Sequence, residues 1–79
     1  MKRDYDIWVD YNDVDEKGRV TALMSQARHG VVVQCGEFVL TGDGEGTTIR
    51  GYVEVIGDGL VVIALDLATT IHDRSHLAS

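Results

Sequence analysis

Apolar and polar residues alternate from Asp4 to Asn12. Tyr5, Ile7, Val9 and Tyr11 fall on one side, and Asp4, Asp6, Trp8, Asp10 and Asn12 on the other. A period of two held over that length predicts a strand. The polar run Asn12-Asp13-Val14-Asp15-Glu16-Lys17-Gly18 reads as a turn with a glycine at its end. Residues 19–29 fit two templates. As a strand, Val20, Ala22 and Met24 share a face; as a helix, Val20, Leu23, Met24 and Ala27 form a stripe with Gly30 at the C′ position. Ala, Leu, Met, Gln and Arg favour helix intrinsically. A hairpin of 4–12 with 19–25, closed through the polar turn, tips residues 19–25 towards strand, and the helix template stays open.

Gly30-Val31-Val32-Val33-Gln34 is a β-branched run and predicts another strand. Cys35-Gly36-Glu37 follows as a tight turn. From Gly36 to Asp66 three β segments are punctuated by glycines: 37–41, 47–56 and 60–65, separated by Gly42-Asp43-Gly44-Glu45-Gly46 and Gly57-Asp58-Gly59. In 47–56 the alternation sets Ile49, Gly51, Val53 and Val55 against Thr48, Arg50, Tyr52, Glu54 and Ile56. Asp58-Gly59 is a strong hairpin signal. Leu60 to Leu65 is apolar throughout, the pattern of a strand covered on both faces. Residues 67–72 fit a last strand or a short helical turn, and 73–79 read as a frayed tail. No proline is present. Every position therefore keeps its backbone donor, and one common guard on edge strands is missing.

These elements predict one all-β domain over residues 1–79, of about five or six short strands, as a small barrel or a partly open antiparallel sheet. The N-terminal hairpin 4–25 is expected to pack on a 31–66 meander. The expected core is Ile7, Val9, Val20, Val32, Val39, Ile49, Val53, Val55, Val62 and Ala64.

The run Gly-Glu-Phe-Val-Leu, an acidic glycine turn, Arg-Gly-Tyr-Val-Glu-Val, Gly-Asp-Gly and Leu-Val-Val-Ile-Ala-Leu-Asp is similar to bacterial SH3-like small barrels over about residues 31–66. The resemblance implies a fold in which a glycine-acid segment opens a strand and two later strands pair through a tight hairpin. It departs from the peptide-binding SH3 pattern: neither an Ala-Leu-Tyr-Asp-Tyr segment nor a tryptophan pair is present. Recognition of proline-rich peptides is therefore not implied, and function drawn from such a fold is analogy.

Size and charge narrow the picture. A chain of 79 residues buries only about 60–65% of its unfolded surface, which leaves a thin stability margin. Seven Lys and Arg stand against thirteen Asp and Glu, a net charge of −6. Phosphate neutralisation is thereby disfavoured, and no direct nucleic-acid binding is expected. Cys35 is alone, so no disulfide framework exists and a reducing compartment is expected. Met1-Lys2-Arg3 leads into Asp4-Tyr5-Asp6 and not into an apolar stretch, and no run reaches the length of a membrane helix. A cytoplasmic location without membrane attachment is the expectation.

Candidate chemistry is thin. Asp13, Asp15 and Gly18 resemble the opening of an EF-hand loop, but Lys17 takes a ligand position and Met24 stands where the closing glutamate belongs. Gly42-Asp43-Gly44-Glu45-Gly46 lacks the lysine of a phosphate-binding loop and carries two repelling carboxylates. His72 and His76 could share a helix face, yet two ligands make a weak metal site. Cys35, beside an apolar strand, reads as a buried small hydrophobe, and Ser25 has no evident base. No enzymatic activity, metal or cofactor is expected.

The remaining candidates are interaction residues. Trp8 alternates with Asp6 and Asp10, either half-buried under a loop or serving as an interface anchor; Tyr11 joins it as a binding candidate. Arg50 and Tyr52 share one strand face. Phe38 and Leu40 lie opposite Val39 and need a cover, which the N-terminal hairpin or a second subunit would supply. The function expected is a non-enzymatic protein-interaction module, self-associating or an accessory subunit. Two alternatives are an acidic decoy presenting Asp4, Asp6, Asp10, Asp13, Asp15 and Glu16 to a basic protein, and a small-ligand or divalent-metal protein using the 13–18 loop.

Overall fold

Residues 5–72 are described by the computed structural model of the protein. Within them six strands form one curled, open sheet: β1 (Ile7–Trp8), β2 (Arg19–Leu23), β3 (Phe38–Gly42), β4 (Thr47–Gly57), β5 (Leu60–Leu65) and β6 (Ile71–His72). Three-residue 3₁₀ turns at Tyr11–Asp13, Met24–Gln26 and Leu67–Thr69 complete the regular structure. The strand order is β1-β3-β4-β5-β2, and β6 pairs with the start of β4. The expected frayed tail 73–79, His76 and the N-terminal residues before Tyr5 lie outside the described residues.

The meander β3-β4-β5 follows from local signals. Asp58 at φ 54° and Gly59 at φ 78° both take the left-handed conformation, and the loop closes between the paired residues Gly57 and Leu60. This is the two-residue turn whose twist matches a hairpin, and Asp and Gly tolerate it best. Residues 67–72 combine both expected forms, a 3₁₀ turn capped by Asp66 followed by the short β6.

Residues 19–23 form a strand, but not in the expected hairpin. β2 pairs antiparallel with β5, from Arg19 opposite Ala64 to Leu23 opposite Leu60. β1 instead pairs in parallel with β3, Ile7 opposite Thr41 and Trp8 opposite Gly42, so the sheet is mixed. The expected strand 4–12 shortens to two residues because Asp10 accepts from the Asn12 N–H and turns the chain into a 3₁₀ turn. Ile7 also forms an isolated antiparallel bridge with Ala27, and the Arg28 N–H donates to the Asp6 carbonyl at 2.6 Å. The chain after β2 thus reaches the outer edge of β1, and the sheet curls into a half-barrel.

Residues 31–34 do not form a strand, despite their β-branched side chains. Val33 is buried and Val32 points to solvent, while the next turn binds β4 through Gly36 N–H to the Val53 carbonyl. Strand propensity alone does not supply a ladder partner, and none forms here. Cys35 in that turn is exposed, contrary to its expected burial.

The core is Ile7, Val9, Val20, Ala22, Val33, Val39, Ile49, Val53, Val61 and Ile63. Six expected members are there, but Val32, Val55, Val62 and Ala64 are not. A register shift between Val53 and Val55 explains the β4 error: the extra residue turns Val55 outward and Ile56 inward against the core. In β5 the buried residues are Val61 and Ile63. Pairing with Ala22 and Val20, both inward, fixes that phase, and a one-residue slip would reverse it. Leu60 is exposed, so β5 is covered on one face only.

Candidate functional site

The sequence candidates separate into two places. Phe38, Leu40, Arg50 and Tyr52 gather on the outer sheet face, and Trp8 and Tyr11 sit at an acidic cleft on another part of the surface.

Alternation places the outer face. With Val39, Gly51, Ile63 and Val20 inward, the residues between them project the other way. One cross-strand row runs Phe38, Tyr52, Ala64, Arg19. The next, beyond the bulge, runs Val55, Val62, Thr21, and the last runs Gly57, Leu60, Leu23. Leu40 faces Arg50 at the near end. The exposed apolar members are Phe38 (68% exposed), Val55 (57%), Leu23 (50%), Tyr52 (41%) and Leu60 (41%). Phe38 and Tyr52 meet edge to face, ring centroids 5.4 Å apart at 64°, the arrangement their quadrupoles prefer. No N-terminal hairpin covers Phe38 and Leu40, since β1 runs along the edge of β3 instead.

Charge on this face is sparse. The Arg19 Nε donates to Glu54 Oε1 at 2.5 Å across the bulge, and a second contact joins Nη2 to Oε2 at 3.3 Å. The Glu54 bond raises the Arg19 pKa above its ordinary value. Arg50, three residues into β4, and Asp58, in the turn that follows it, have no ion-pair partner among the described residues. Sequence reasoning missed Val55, Leu60 and Leu23 as members of this face. The two-sided apolar pattern of β5 was a usable signal for Leu60, whereas the bulge left none for Val55.

The second place is an open cleft of ≈ 450 Å³ lined by Trp8 to Asn12, Asp43 and Glu45. Trp8 is half-buried, and its indole Nε1 donates to the Asp43 carbonyl at 2.9 Å. Gly42 makes room for Tyr5: a Cβ there would run into the Tyr5 ring. Below the cleft, Thr41 Oγ1 donates to the Ile49 carbonyl at 2.6 Å and lies 2.9 Å from the Tyr11 hydroxyl. Burial raises the Tyr11 pKa above 10.0.

The carboxylates at the cleft and the neighbouring turn mostly hold backbone. Asp10 Oδ1 accepts from Asn12 N–H, and Asp43 Oδ1 from Glu45 N–H and more distantly from Thr47 N–H. Asp15 Oδ1 accepts from Arg19 and Lys17 N–H, which hold its pKa below the ordinary 3.8. The 13–18 loop is thus a capped turn. Among the described residues no group of three or more His, Cys, Asp or Glu converges as a metal site would require, and no helix is long and apolar enough to cross a membrane.

No protein-family model matches the chain, and neither curated proteins nor solved structures include a significant match.

Proposed function

We propose that this chain is a non-enzymatic protein-interaction module of SH3-like type that docks through the outer face of its sheet. The observation that carries the reading is the exposure of Phe38, Tyr52, Val55, Leu60 and Leu23 as one patch across β3, β4, β5 and β2. Single exposed apolar residues are ordinary, but a contiguous patch rimmed by polar groups marks an interaction surface. Its aromatic pair and Arg50 match the residue types enriched at interface hot spots. The patch stands on a hydrogen-bonded strand ladder, which limits the ordering entropy that docking costs.

The half-barrel and its Asp-Gly hairpin support the SH3-like assignment. The exposed free thiol of Cys35 fits a reducing, cytoplasmic setting. The acidic-decoy alternative has less behind it, because Asp10 and Asp15 are committed to their own turns. The same commitment weakens the divalent-metal alternative.

The test is affinity capture from the native host with the wild-type chain and with the double variant Phe38→Ser, Leu60→Ser. Both side chains are exposed, so the variant keeps its fold. A protein retained by the wild type and lost by the variant is the expected result. Identical capture by both would remove the reading.

A further inference from the structure

Aspartate is followed by glycine at two places in this chain, Asp43-Gly44 and Asp58-Gly59. Glycine has no Cβ, so its amide nitrogen can reach the preceding side-chain carboxyl without steric hindrance. The other described aspartates precede Ile7, Tyr11, Val14, Glu16 and Leu67, whose side chains crowd that approach. The fold treats the two pairs differently. Asp43 Oδ1 accepts from Glu45 N–H at 2.8 Å and from Thr47 N–H at 3.3 Å, and the Trp8 indole holds its carbonyl at 2.9 Å. A methyl on Gly44 would stand 3.6 Å from the Tyr5 hydroxyl and 3.8 Å from the Trp8 nitrogen. Carboxylate and peptide plane are both fixed there. The Asp58 carboxylate has no hydrogen-bond or ion-pair partner among the described residues. The Gly59 N–H likewise donates to no described backbone carbonyl. Both residues are exposed, and a Cβ at Gly57 or Gly59 would meet nothing within 4 Å. Asp58 is also the one described residue other than glycine held at positive φ, 54°, a conformation that costs an L-residue energy.

We propose that Asp58-Gly59 is a site of spontaneous covalent modification, where the aspartyl link converts to an isoaspartyl link through a cyclic imide, while Asp43-Gly44 stays intact. The Gly59 nitrogen attacks the side-chain carbonyl carbon of Asp58 in its protonated form. The C–N bond forms, the carboxyl C–O bond breaks, and the hydroxyl leaves as water with the amide proton. Water then opens the imide at one of its two carbonyls. Opening at the side-chain carbonyl restores aspartate. Opening at the main-chain carbonyl routes the chain through Cβ and leaves the former main-chain carboxyl as the side chain. One water leaves and one returns, so no further reactant is needed. Attack requires the plane of the Asp58–Gly59 peptide to rotate. The Gly59 carbonyl accepts from Met24 N–H at 2.8 Å, but that oxygen belongs to the next peptide plane. Only the two central turn residues have to move, a local opening far smaller than unfolding.

The product carries one more main-chain carbon in a turn whose twist fits its hairpin at two residues. Immediately beyond the turn stand the Gly57–Leu60 pair and the bond from Met24 N–H to the Gly59 carbonyl. The modification therefore loosens the end of the sheet where β4, β5 and β2 meet, and it shifts Leu60 and its partner Leu23, both exposed there. These two belong to the apolar patch on the outer face. An aged chain thus presents a different surface from a newly made one, whether or not that surface docks a partner.

The test incubates the folded chain in heavy-oxygen water at physiological temperature, with samples taken over weeks and digested with trypsin. Each passage through the imide leaves one heavy oxygen in the peptide. Cleavage after Arg28, Arg50 and Arg74 separates residues 29–50, which hold Asp43, from 51–74, which hold Asp58. Fragment masses then locate the label and the isoaspartyl link. The expected result is label at Asp58 and roughly tenfold less, or none, at Asp43. A second series uses Asp58→Asn, which forms the same imide by losing ammonia and suits the left-handed turn position. Folded Asp58→Asn is expected to convert faster than the wild type. Equal label at Asp43 and Asp58 overturns the distinction drawn from their surroundings. A folded wild type that stays unlabelled at Asp58 overturns the proposal. So does a folded Asp58→Asn that keeps its amide while the same variant unfolded in urea loses it, because the turn then protects the site.

Discussion

The Tyr11 hydroxyl lies 2.9 Å from Thr41 Oγ1, joining residues 30 positions apart. Thr41 is fully buried, and its own proton is committed to the Ile49 carbonyl at 2.6 Å. Tyr11 is therefore the donor in the pair, and the threonine oxygen links the first 3₁₀ turn to β3 and β4. Replacing Thr41 by valine keeps the volume and removes both bonds. We expect Thr41→Val to cost about 1–3 kcal/mol, because polar groups lose their partner, and Tyr11→Phe about 0.5–1.5 kcal/mol. Urea denaturation measures both. A neutral Thr41→Val would mean that the link contributes nothing to stability.

The same hydroxyl gives a pH dependence. Burial raises the folded Tyr11 pKa above 10.0. A group with a raised folded pKa contributes stability that is complete below its unfolded pKa and lost as pH rises through the folded one. The protein is thus expected to lose stability as pH climbs past 10.0, and Tyr11→Phe should flatten that part of the curve. Spectroscopic titration of the phenolates checks the origin: the transition missing in Tyr11→Phe should be one displaced to the alkaline side.

Val53 and Val55 should respond oppositely to truncation. An unbroken alternation would put both inside, whereas the bulge leaves Val53 fully buried and Val55 exposed. Val53→Ala should therefore cost about 2 kcal/mol or more through the cavity it leaves. Val55→Ala should stay within about 0.5 kcal/mol. Equal losses measured by thermal unfolding would mean that β4 runs without a bulge.

Gly42→Ala probes the cleft. The added methyl would collide with the Tyr5 ring, so Tyr5 must move, at a cost of roughly 1–3 kcal/mol. Gly44, two residues on, lies under both the Tyr5 hydroxyl and the Trp8 indole. The displacement should therefore alter the fluorescence of Trp8, the single tryptophan. An unchanged emission spectrum would show that Tyr5 does not pack there.

The part of this fold that sequence made legible is the part that is local. β3, β4 and β5 follow one another through short turns, and Asp58-Gly59 specifies its turn by backbone conformation alone. The inward phase of Ile7, Val9, Val20, Val39, Ile49 and Val53 was readable for the same reason. What escaped depends on partners distant in sequence. β2 could have closed a hairpin with residues 4–12, and only its ladder with β5 shows that it does not. Val31 to Val33 have strand-forming side chains, but propensity alone does not place them beside a partner strand. Of the interaction candidates, Arg50 with Tyr52 and Phe38 with Leu40 were recognisable as two same-strand pairs, and the β3–β4 register joins them into one surface. Its aliphatic half was not recognisable, since Val55 reaches it through a bulge and Leu23 through long-range pairing.

The parallel pairing of β1 with β3 also constrains the order in which this chain can fold. Ile7 must wait for Thr41, and Trp8 for Gly42, so the loop entropy of some thirty residues stands against two residues of ladder. The β3-β4-β5 meander closes through short turns and needs no such wait. Assembly is therefore expected to start with the meander in the middle of the sequence and to add β1 and β2, whose partners are distant, afterwards. Non-local architectures of this kind fold in roughly milliseconds to seconds. Mutations that weaken only the β1 contacts should then accelerate unfolding and leave the folding rate almost unchanged.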